Sequence, residues 1–296
     1  MGLRDLIKGM LGSRDSGFGV QELARRLGLD EESLRAVEVS YDQFAISKRS
    51  GGTRIIQSPN RELKHLQRRI LHRLLIRIRA HPAVRGFEPR QSIVTNALPH
   101  RNKAIVLRMD VKDFFRSTQS HRVRDMFLRL GWSGQAAKLL TEICTFEGGL
   151  PQGAPTSPRL SNLVNLRLDI RLAASAKKLS ADYTRYADDL TFSFKEDDPS
   201  AARKMIRLTK LVLEDFGYQI HTRKKLHIRR QHQQQLVTGL VVNERVRLTR
   251  ATRRWLRAVE HNSTAGRFCT LTPDQLEGWR SFQAMVSRQA ETAFPD

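Results

Sequence analysis

The chain has 296 residues, of which 40% are hydrophobic, so it can bury the core of two or three packed subdomains. Its 52 Lys and Arg residues outnumber 30 Asp and Glu residues, and the net charge of +22 is spread along the sequence, which favours nucleic acid as a partner because phosphate neutralisation uses many distributed cations. This composition excludes a disordered chain, and no apolar run approaches the roughly 20 residues of a membrane-spanning helix, so we expect no membrane partner.

The first 40 residues predict a helical lead-in, with helix expected across residues 18–39. Residues 21–29 resemble the first half of a helix-turn-helix, but no clear recognition helix follows them. Two interpretations remain open: half of a DNA-binding motif, or a small helical segment that packs on the main domain. Residues 1–5 lack the apolar stretch of a secretory signal.

Residues 41–58 predict a β-hairpin, because β-prone segments flank a glycine-containing turn at residues 49–52. Two cations, Lys48 and Arg54, flank this turn. Either could bind a phosphate group or remain an ordinary solvated hairpin charge.

The middle of the chain alternates helices with short strands. Helices are expected at residues 60–81, 119–147, 161–179 and 199–216. Strands are expected up to Asp110, on both sides of Asp188-Asp189, and as a pair near residues 218–242. No repeat and no linker rich in Gly, Ser or Pro is visible. This alternation predicts an α+β fold with a sheet covered on one side.

The last helical region begins at Thr249 and carries four arginines at spacings that form one basic face: Arg250, Arg253, Arg254 and Arg257. Trp255, Leu256 and Val259 supply an apolar face. A solvated surface is the usual explanation of such a charge cluster, but the net charge of the whole chain favours nucleic acid.

Three acidic residues stand at the ends of predicted strands. Asp188 and Asp189 occupy the apparent tip of a hairpin, and Asp110 ends the apolar run at residues 104–110. Asp-Asp is also an ordinary turn sequence, so the pair alone does not decide its role. If the two strands are neighbours, three carboxylates converge. Such hard oxygen ligands suit Mg²⁺ in two-metal phosphoryl transfer.

Four segments, in chain order, resemble the palm motifs of reverse transcriptases. They contain Arg-Met-Asp-Val-Lys-Asp-Phe-Phe at 108–115, Gly-Leu-Pro-Gln-Gly-Ala-Pro-Thr-Ser-Pro at 149–158, Tyr-Ala-Asp-Asp at 186–189, and the segment 217–225. The second string is highly specific, and its place between the first and third makes coincidence improbable.

Two further strings are similar to signatures of bacterial retron reverse transcriptases. One is Asn-Ala-Leu-Pro-His at 96–100, just before the first acidic strand, and the other is Val-Thr-Gly at 237–239. The resemblance runs from about residue 23 to residue 285. Arg116 stands where many relatives have Pro, and Lys225 where many have Thr, which leaves the role of the Lys224-Lys225 pair open between its members.

The resemblance implies a right-hand polymerase fold with fingers, palm and thumb, in which helices back an antiparallel palm sheet. We expect four parts: N-terminal helices in 1–40, fingers and a pre-palm loop in 41–103, the palm in 104–244 with finger-side helices within 116–150, and the thumb in 245–296.

The metal chemistry implied by the resemblance uses two Mg²⁺ ions, with Mn²⁺ as the alternative ion in vitro. Asp110 and Asp188 would bridge both ions, and Val111 would offer a backbone carbonyl beside them. Asp189 would either ligate one ion or shape the turn.

Several residues would contact the incoming dNTP. Phe115 would be a steric gate, because an aromatic ring under the sugar clashes with a ribose 2′-hydroxyl; its alternative is a core aromatic, for which Phe114 is the better candidate. Asp113 is expected to cap the turn after the strand, near the triphosphate, and Gln152 and Gly153 to contact the nucleotide and the template. Lys48 and Arg54 would clamp the β- and γ-phosphates. Lys224 would protonate or stabilise the departing pyrophosphate.

RNA contacts are expected at two places. Asn96 and His100 either contact structured RNA or fix their own loop. The basic face from Arg250 to Arg257 would follow the template–primer backbone.

We therefore expect an RNA-directed DNA polymerase of the retron type. It would copy part of its own structured non-coding RNA, prime from a guanosine 2′-hydroxyl, yield a branched RNA–DNA hybrid, and act in anti-phage defence with a separate effector. Cys144 and Cys269 match no zinc or disulfide pattern, which indicates a reducing cytoplasm.

Two rival functions follow from the same residues. One is another compact bacterial reverse transcriptase, of the group II intron or diversity-generating type. Residues 96–100 and the absence of an evident endonuclease domain argue against the intron type. An inactive RNA-binding scaffold is disfavoured by the intact acids Asp110, Asp188 and Asp189.

Overall fold

The computed structural model describes residues 17–47, 51–221 and 226–292, and these residues adopt the predicted α+β fold. The chain divides into two compact units, each made of two separate segments. The first unit comprises Met1–His81 and Asp113–Arg167, and the second comprises Pro82–Lys112 and Leu168–Asp296.

The helices, in chain order, are α1 (Val20–Leu27), α2 (Glu31–Ala36), α3 (Arg61–Ile70), α4 (Ile93–Ala97), α5 (Phe114–Ser117), α6 (Ser120–Arg129), α7 (Gly134–Cys144), α8 (Ser157–Val164), α9 (Leu166–Lys178), α10 (Pro199–Asp215), α11 (Arg250–Thr264) and α12 (Pro273–Thr292). A π-helical turn, Leu71–Leu75, extends α3, and a 3₁₀ turn, Leu98–His100, extends α4. None of these helices is long and apolar enough to cross a membrane.

The strands are β1 (Tyr41–Ser47), β2 (Thr53–Pro59), β3 (Ile105–Asp110), β4 (Ala181–Tyr186), β5 (Asp189–Phe194), β6 (His227–Arg230), β7 (Leu236–Val237) and β8 (Leu240–Val241). They form the predicted hairpin β1–β2, a four-stranded antiparallel sheet in the order β4-β5-β3-β6, and a short β7–β8 pair.

Local sequence explains most helix boundaries. The Asn60 side chain accepts a hydrogen bond of 2.8 Å from Leu63 N and so begins α3. The helix expected across residues 18–39 is divided instead, because Gly28 takes a left-handed conformation (φ 66°) that ends α1. The helix expected at residues 161–179 begins earlier and is interrupted at Asn165, between α8 and α9.

The first unit has an apolar core built from helix faces. Val20, Leu23 and Leu27 of α1 are buried in the same cluster as residues from α3, α6 and α7. Apolar residues at these helical spacings lie on one face of α1, which explains why that face is buried. This packing favours the lead-in interpretation of the N-terminal helices over half of a DNA-binding motif.

The four-stranded sheet of the second unit has one apolar and one mainly polar face. Side chains alternate along each strand, so Leu107 and Met109 of β3 share the apolar face with their cross-strand partners Phe192 and Leu190. The other face carries Arg108 and Asp110, opposite Thr191 and Asp189, and also Val106, which is buried in a second apolar cluster. This second cluster also includes residues of α4, β7, β8, α11 and α12.

Candidate active site

Strand pairing in the second unit brings two of the predicted acids together. In the antiparallel pair of β3 and β5, Asp110 lies directly opposite Asp189. Opposed residues in such a pair project from the same face, with Cβ atoms about 5 Å apart. Asp188 lies immediately before β5, in the turn from β4. The expectation that the acidic strands are neighbours is confirmed.

We call β4, β5 and the turn residues 187–188 the Asp188 hairpin. Its turn is bonded to the residue that follows β3, since Val111 N donates to Asp188 O at 3.0 Å. Ala187 has a left-handed φ of 57°, which is uncommon for a residue with a side chain. The Val111 bond therefore helps to maintain a conformation that the turn would rarely adopt alone.

The carboxylates of Asp110, Asp188 and Asp189, with the Val111 carbonyl, are the hard oxygen donors that Mg²⁺ prefers. Within residues 17–47, 51–221 and 226–292, however, no three His, Cys, Asp or Glu side chains are arranged to hold an ion. The contacts of Asp189 explain part of this, since Arg108 Nη2 lies 3.3 Å and 3.4 Å from its two carboxylate oxygens. The chemistry of these donors fits Mg²⁺.

A buried ion pair beneath the hairpin was missed by the sequence reasoning. Arg185 Nε and Nη2 donate to the two carboxylate oxygens of Asp169 at 2.8 Å and 2.7 Å, and both side chains are fully buried. Tyr183 Oη donates to the same carboxylate at 2.8 Å. Arg185 Nη1 also donates to Ala187 O at 3.1 Å, so the pair reaches the turn that carries Asp188.

Electrostatics favour the charged form of Arg185. Burial lowers the pKa of Arg185, but the charge and hydrogen bonds of Asp169 outweigh that effect, so the pKa is raised above its ordinary value. Burial and the charge of Asp169 raise the pKa of Tyr183 well above its usual range. One feature of the sequence could have predicted this ion pair: Arg185 and Asp169 are charged residues at core-facing positions of a strand and a helix.

The segment before the sheet also packs on the Asp188 hairpin. Arg85 N donates to Arg185 O at 2.8 Å, and Arg185 N donates to Ala83 O at 2.9 Å, as in a strand pair. A Cβ atom on Gly86 would lie only 2.7 Å from Ala187 N, so this close approach requires glycine. Residues 83–86 therefore support the turn from outside the named strands.

The first unit brings together several residues predicted to contact nucleotide. Gln57 N of β2 donates to Gln152 O at 2.8 Å, and Leu150 N donates to Phe115 O at 3.2 Å. A Cβ atom on Gly153 would meet Gln57 O at 2.6 Å, which explains glycine there. The loop at residues 149–153 is thus attached both to the predicted gate segment and to the strand that carries exposed Arg54.

The two aromatic residues after β3 differ in burial. Phe114 is buried, whereas Phe115 is half-buried, and their rings meet edge to face at 5.6 Å between centroids. Asp113 is exposed and has a left-handed φ of 46°. Asp113 is the N-cap residue of α5, although its side chain makes no capping hydrogen bond and only its carbonyl accepts one, from Ser117 N at 2.8 Å.

Two of the predicted nucleotide contacts, Lys48 and Lys224, lie outside the described residues.

Comparison with known proteins identifies the family. Residues 46–242 match the family model described as reverse transcriptase (RNA-dependent DNA polymerase). The chain is 36% identical over 298 residues to the retron Mx65 reverse transcriptase of Myxococcus xanthus, covering 92% of this chain and 69% of that protein. It belongs to the retron-type reverse transcriptases. As such, it is an RNA-directed DNA polymerase.

Other relatives agree. The retron Mx162 reverse transcriptase of Myxococcus xanthus is 36% identical over 93% of this chain, although the chain spans only 65% of that relative's length. The retron Ec86 reverse transcriptase of Escherichia coli is 33% identical over 92% of this chain and 85% of the relative.

The two retron-like strings of this reverse transcriptase contact each other in the second unit. Asn96 Nδ2 lies 3.5 Å from Thr238 Oγ1, and Thr238 Oγ1 donates to Ile93 O at 3.0 Å. Both Thr238 (φ 46°) and Gly239 (φ 82°) are left-handed, which forms the tight turn between β7 and β8. One role of the strings is therefore to join α4 to this turn.

His100 is fully buried against the polar face of the sheet. Its Nδ1 lies 2.7 Å from Ser193 Oγ and its Nε2 lies 2.8 Å from Thr184 Oγ1. Burial, with the nearby charges of Lys103 and Arg85, lowers the pKa of His100 to about 3. Asn96 is also buried. For both residues these positions favour the structural alternative over direct RNA contact.

The predicted basic face on α11 is largely exposed. Arg250, Arg254 and Arg257 are exposed, whereas Arg253 is half-buried. Leu256 and Val259 are buried, as expected for the apolar face. The Trp255 ring contacts Trp279 of α12 edge to face at 5.3 Å.

Proposed function

We propose that this retron-type reverse transcriptase copies part of a cognate structured non-coding RNA into DNA. A guanosine 2′-hydroxyl in that RNA would be the primer, and the product would be a branched RNA–DNA hybrid. The observation that carries the polymerase chemistry is the pairing of Asp110 with Asp189 at neighbouring strand ends, beside Asp188 in the turn.

In the proposed mechanism, Asp110, Asp188 and the Val111 carbonyl would hold two Mg²⁺ ions, and Asp189 would either ligate one of them or shape the turn. When bound, the ions supply the charge stabilisation needed at the attacking and leaving oxygens. The chain's own contribution is positioning: the Arg185–Asp169 pair and the backbone bond from Val111 to Asp188 fix the turn before substrate arrives.

The nucleotide contacts remain proposals. Phe115, half-buried and in edge-to-face contact with buried Phe114, would exclude a ribose 2′-hydroxyl. Gln152, Gly153 and exposed Asp113 would contact the nucleotide, and Arg54 with Lys48 and Lys224 would neutralise phosphate charge.

We further propose the right-hand division into fingers, palm and thumb, with the exposed arginines of α11 following the template–primer backbone. RNA recognition would depend on shape and unpaired bases as well as charge. Cys144 and Cys269 are free thiols, which suits a reducing cytoplasm. A separate effector protein would connect the DNA product to anti-phage defence.

The decisive experiment is to sequence the nucleic acid that copurifies with the protein. A short DNA joined covalently to one RNA is expected, while Asp188→Asn should copurify with the same RNA but no DNA. Its dNTP incorporation on an RNA template with Mg²⁺ should be abolished. Near-normal extension by the variant would contradict the assignment of Asp188, and DNA without a covalent RNA would contradict 2′-hydroxyl priming.

A further inference from the structure

A cavity of about 380 Å³ lies on the polar face of the second unit's sheet. Its lining consists of residues from β3, β6 and the start of β7: Val106, Arg108, His227, Arg229, Gln234 and Leu236. The polar lining groups are two guanidiniums, an imidazole and an amide, and none of these six residues is acidic. The cavity is therefore rich in hydrogen-bond donors and positive charge.

Strand register explains why these donors share one face. Arg108 lies opposite His227, and Val106 lies opposite Arg229, in the antiparallel pair of β3 and β6. Opposed side chains project together. Gathering basic groups in this way is unfavourable unless an anion compensates them, and Asp189 compensates only Arg108.

Arg108 also carries an unsatisfied donor. Its Nη2 contacts Asp189, but its Nε is buried and has no hydrogen-bond partner within the described residues. A buried N–H without an acceptor costs about 1–3 kcal/mol. The Arg108 guanidinium therefore contacts one carboxylate through Nη2 and, among the described residues, still has an unsatisfied donor at Nε. Such a group can bind a second anion that has several acceptor oxygens.

We propose that this cavity binds a phosphate group of the nucleic-acid strand on which the enzyme acts. Arg229 and Arg108 contact the phosphate, and Val106 and Leu236 form the apolar part of the wall. Because Arg108 is shared, phosphate binding weakens its hold on Asp189 and makes that carboxylate available at the active site. Binding of the nucleic-acid strand is thereby coupled to release of the Asp189 carboxylate from Arg108. This inference rests on the proposed function.

The test compares Arg229→Gln with Arg230→Gln. Both residues are exposed and adjacent on β6, but Arg230 lies opposite Ile105 on the other face and pairs with Asp197 at 3.0 Å. The affinity of each variant for a synthetic single-stranded RNA is measured across a salt series. Arg229→Gln should reduce the slope of log affinity against log salt by about 0.7, the value for one lost phosphate contact, whereas Arg230→Gln should match the wild type.

A second measurement separates a strand phosphate from a free one. The NMR signal of Arg108 Nε–H is followed during titration with inorganic phosphate and then with the RNA. The proposal expects the RNA to displace phosphate in the wild type. Phosphate that the RNA cannot displace would identify a free-anion site and overturn the proposal.

A control measurement on the wild type separates loss of the phosphate site from loss of polymerase activity. Extension of an RNA template by the same wild-type preparation is measured in parallel. Extension together with equal salt slopes for the two variants would overturn the phosphate cavity alone. Absence of extension by the wild type would contradict the proposed function.

Discussion

Two Arg–Asp ion pairs each include one residue of the Asp188 hairpin, and they differ in burial. Arg185 and Asp169 are fully buried and joined by two hydrogen bonds of 2.7–2.8 Å. Arg108 and Asp189 are 24% and 28% exposed, and their contacts are 3.3–3.4 Å. Separating a buried ion pair costs much free energy, because each charge is left without a partner or solvent, whereas separating a half-buried pair costs little. The first is suited to hold the turn and the second to release a carboxylate.

The largest expected effect is on the buried pair. Asp169→Ala leaves the Arg185 charge buried without a partner and should lower the free energy of unfolding by about 3–5 kcal/mol. Asp215→Ala is the matched control, because Asp215 also pairs with an arginine at 2.7 Å but is 57% exposed. Its cost should be about 0–1 kcal/mol in urea denaturation. Equal costs for the two variants would remove the distinction between the pairs.

The second prediction extends the comparison to the aromatic pair. Phe115→Ala should raise rNTP use relative to dNTP use by about 10- to 200-fold in single-nucleotide extension, because the clash with the 2′-hydroxyl is relieved. Phe114→Ala is the control: it should lower stability and leave the rNTP/dNTP ratio unchanged, since that ring is buried. An unchanged ratio in Phe115→Ala would move the sugar gate to another residue.

The third prediction concerns a buried group that titrates. The pKa of His100 is lowered to about 3 in the folded protein, so between that value and about 6.5 the unfolded chain binds more protons there. Stability attributable to His100 should therefore fall as the pH is lowered through this window, by at most about 1.4 kcal/mol per pH unit.

The measurement for His100 is the difference in unfolding free energy between the wild type and His100→Gln as a function of pH. Gln can hydrogen-bond Ser193 or Thr184 but does not titrate. A difference that stays constant from pH 7 to about pH 4 would show that His100 is not held neutral.

The smallest effect is expected at the exchangeable pair. Arg108→Gln should change stability by about 1 kcal/mol or less, because the pair is partly exposed. It removes a positive charge beside the carboxylates, so Mn²⁺ binding measured by electron paramagnetic resonance should tighten severalfold. Weaker Mn²⁺ binding would contradict competition between Arg108 and metal for Asp189.

Much of the local structure was accessible from sequence because its causes are local. The β1–β2 hairpin, the helix that follows Asn60 and the strand that ends at Asp110 follow from turn residues and apolar patterns. The division of the first helix at Gly28 was missed, although glycine is a common helix terminator.

The sequence by itself determined the reverse transcriptase motifs, their order and the acids at the strand ends, since these depend on residue type and spacing along the chain. Tertiary structure alone decided which polar groups are buried and which partners they meet. Strand order and register bring distant segments together. Arg185 therefore bonds Asp169, sixteen positions away, and His100 lies within hydrogen-bond distance of Ser193. Asn96 likewise approaches Thr238. Side-chain burial and pairing depend on those distant neighbours, which no local pattern encodes.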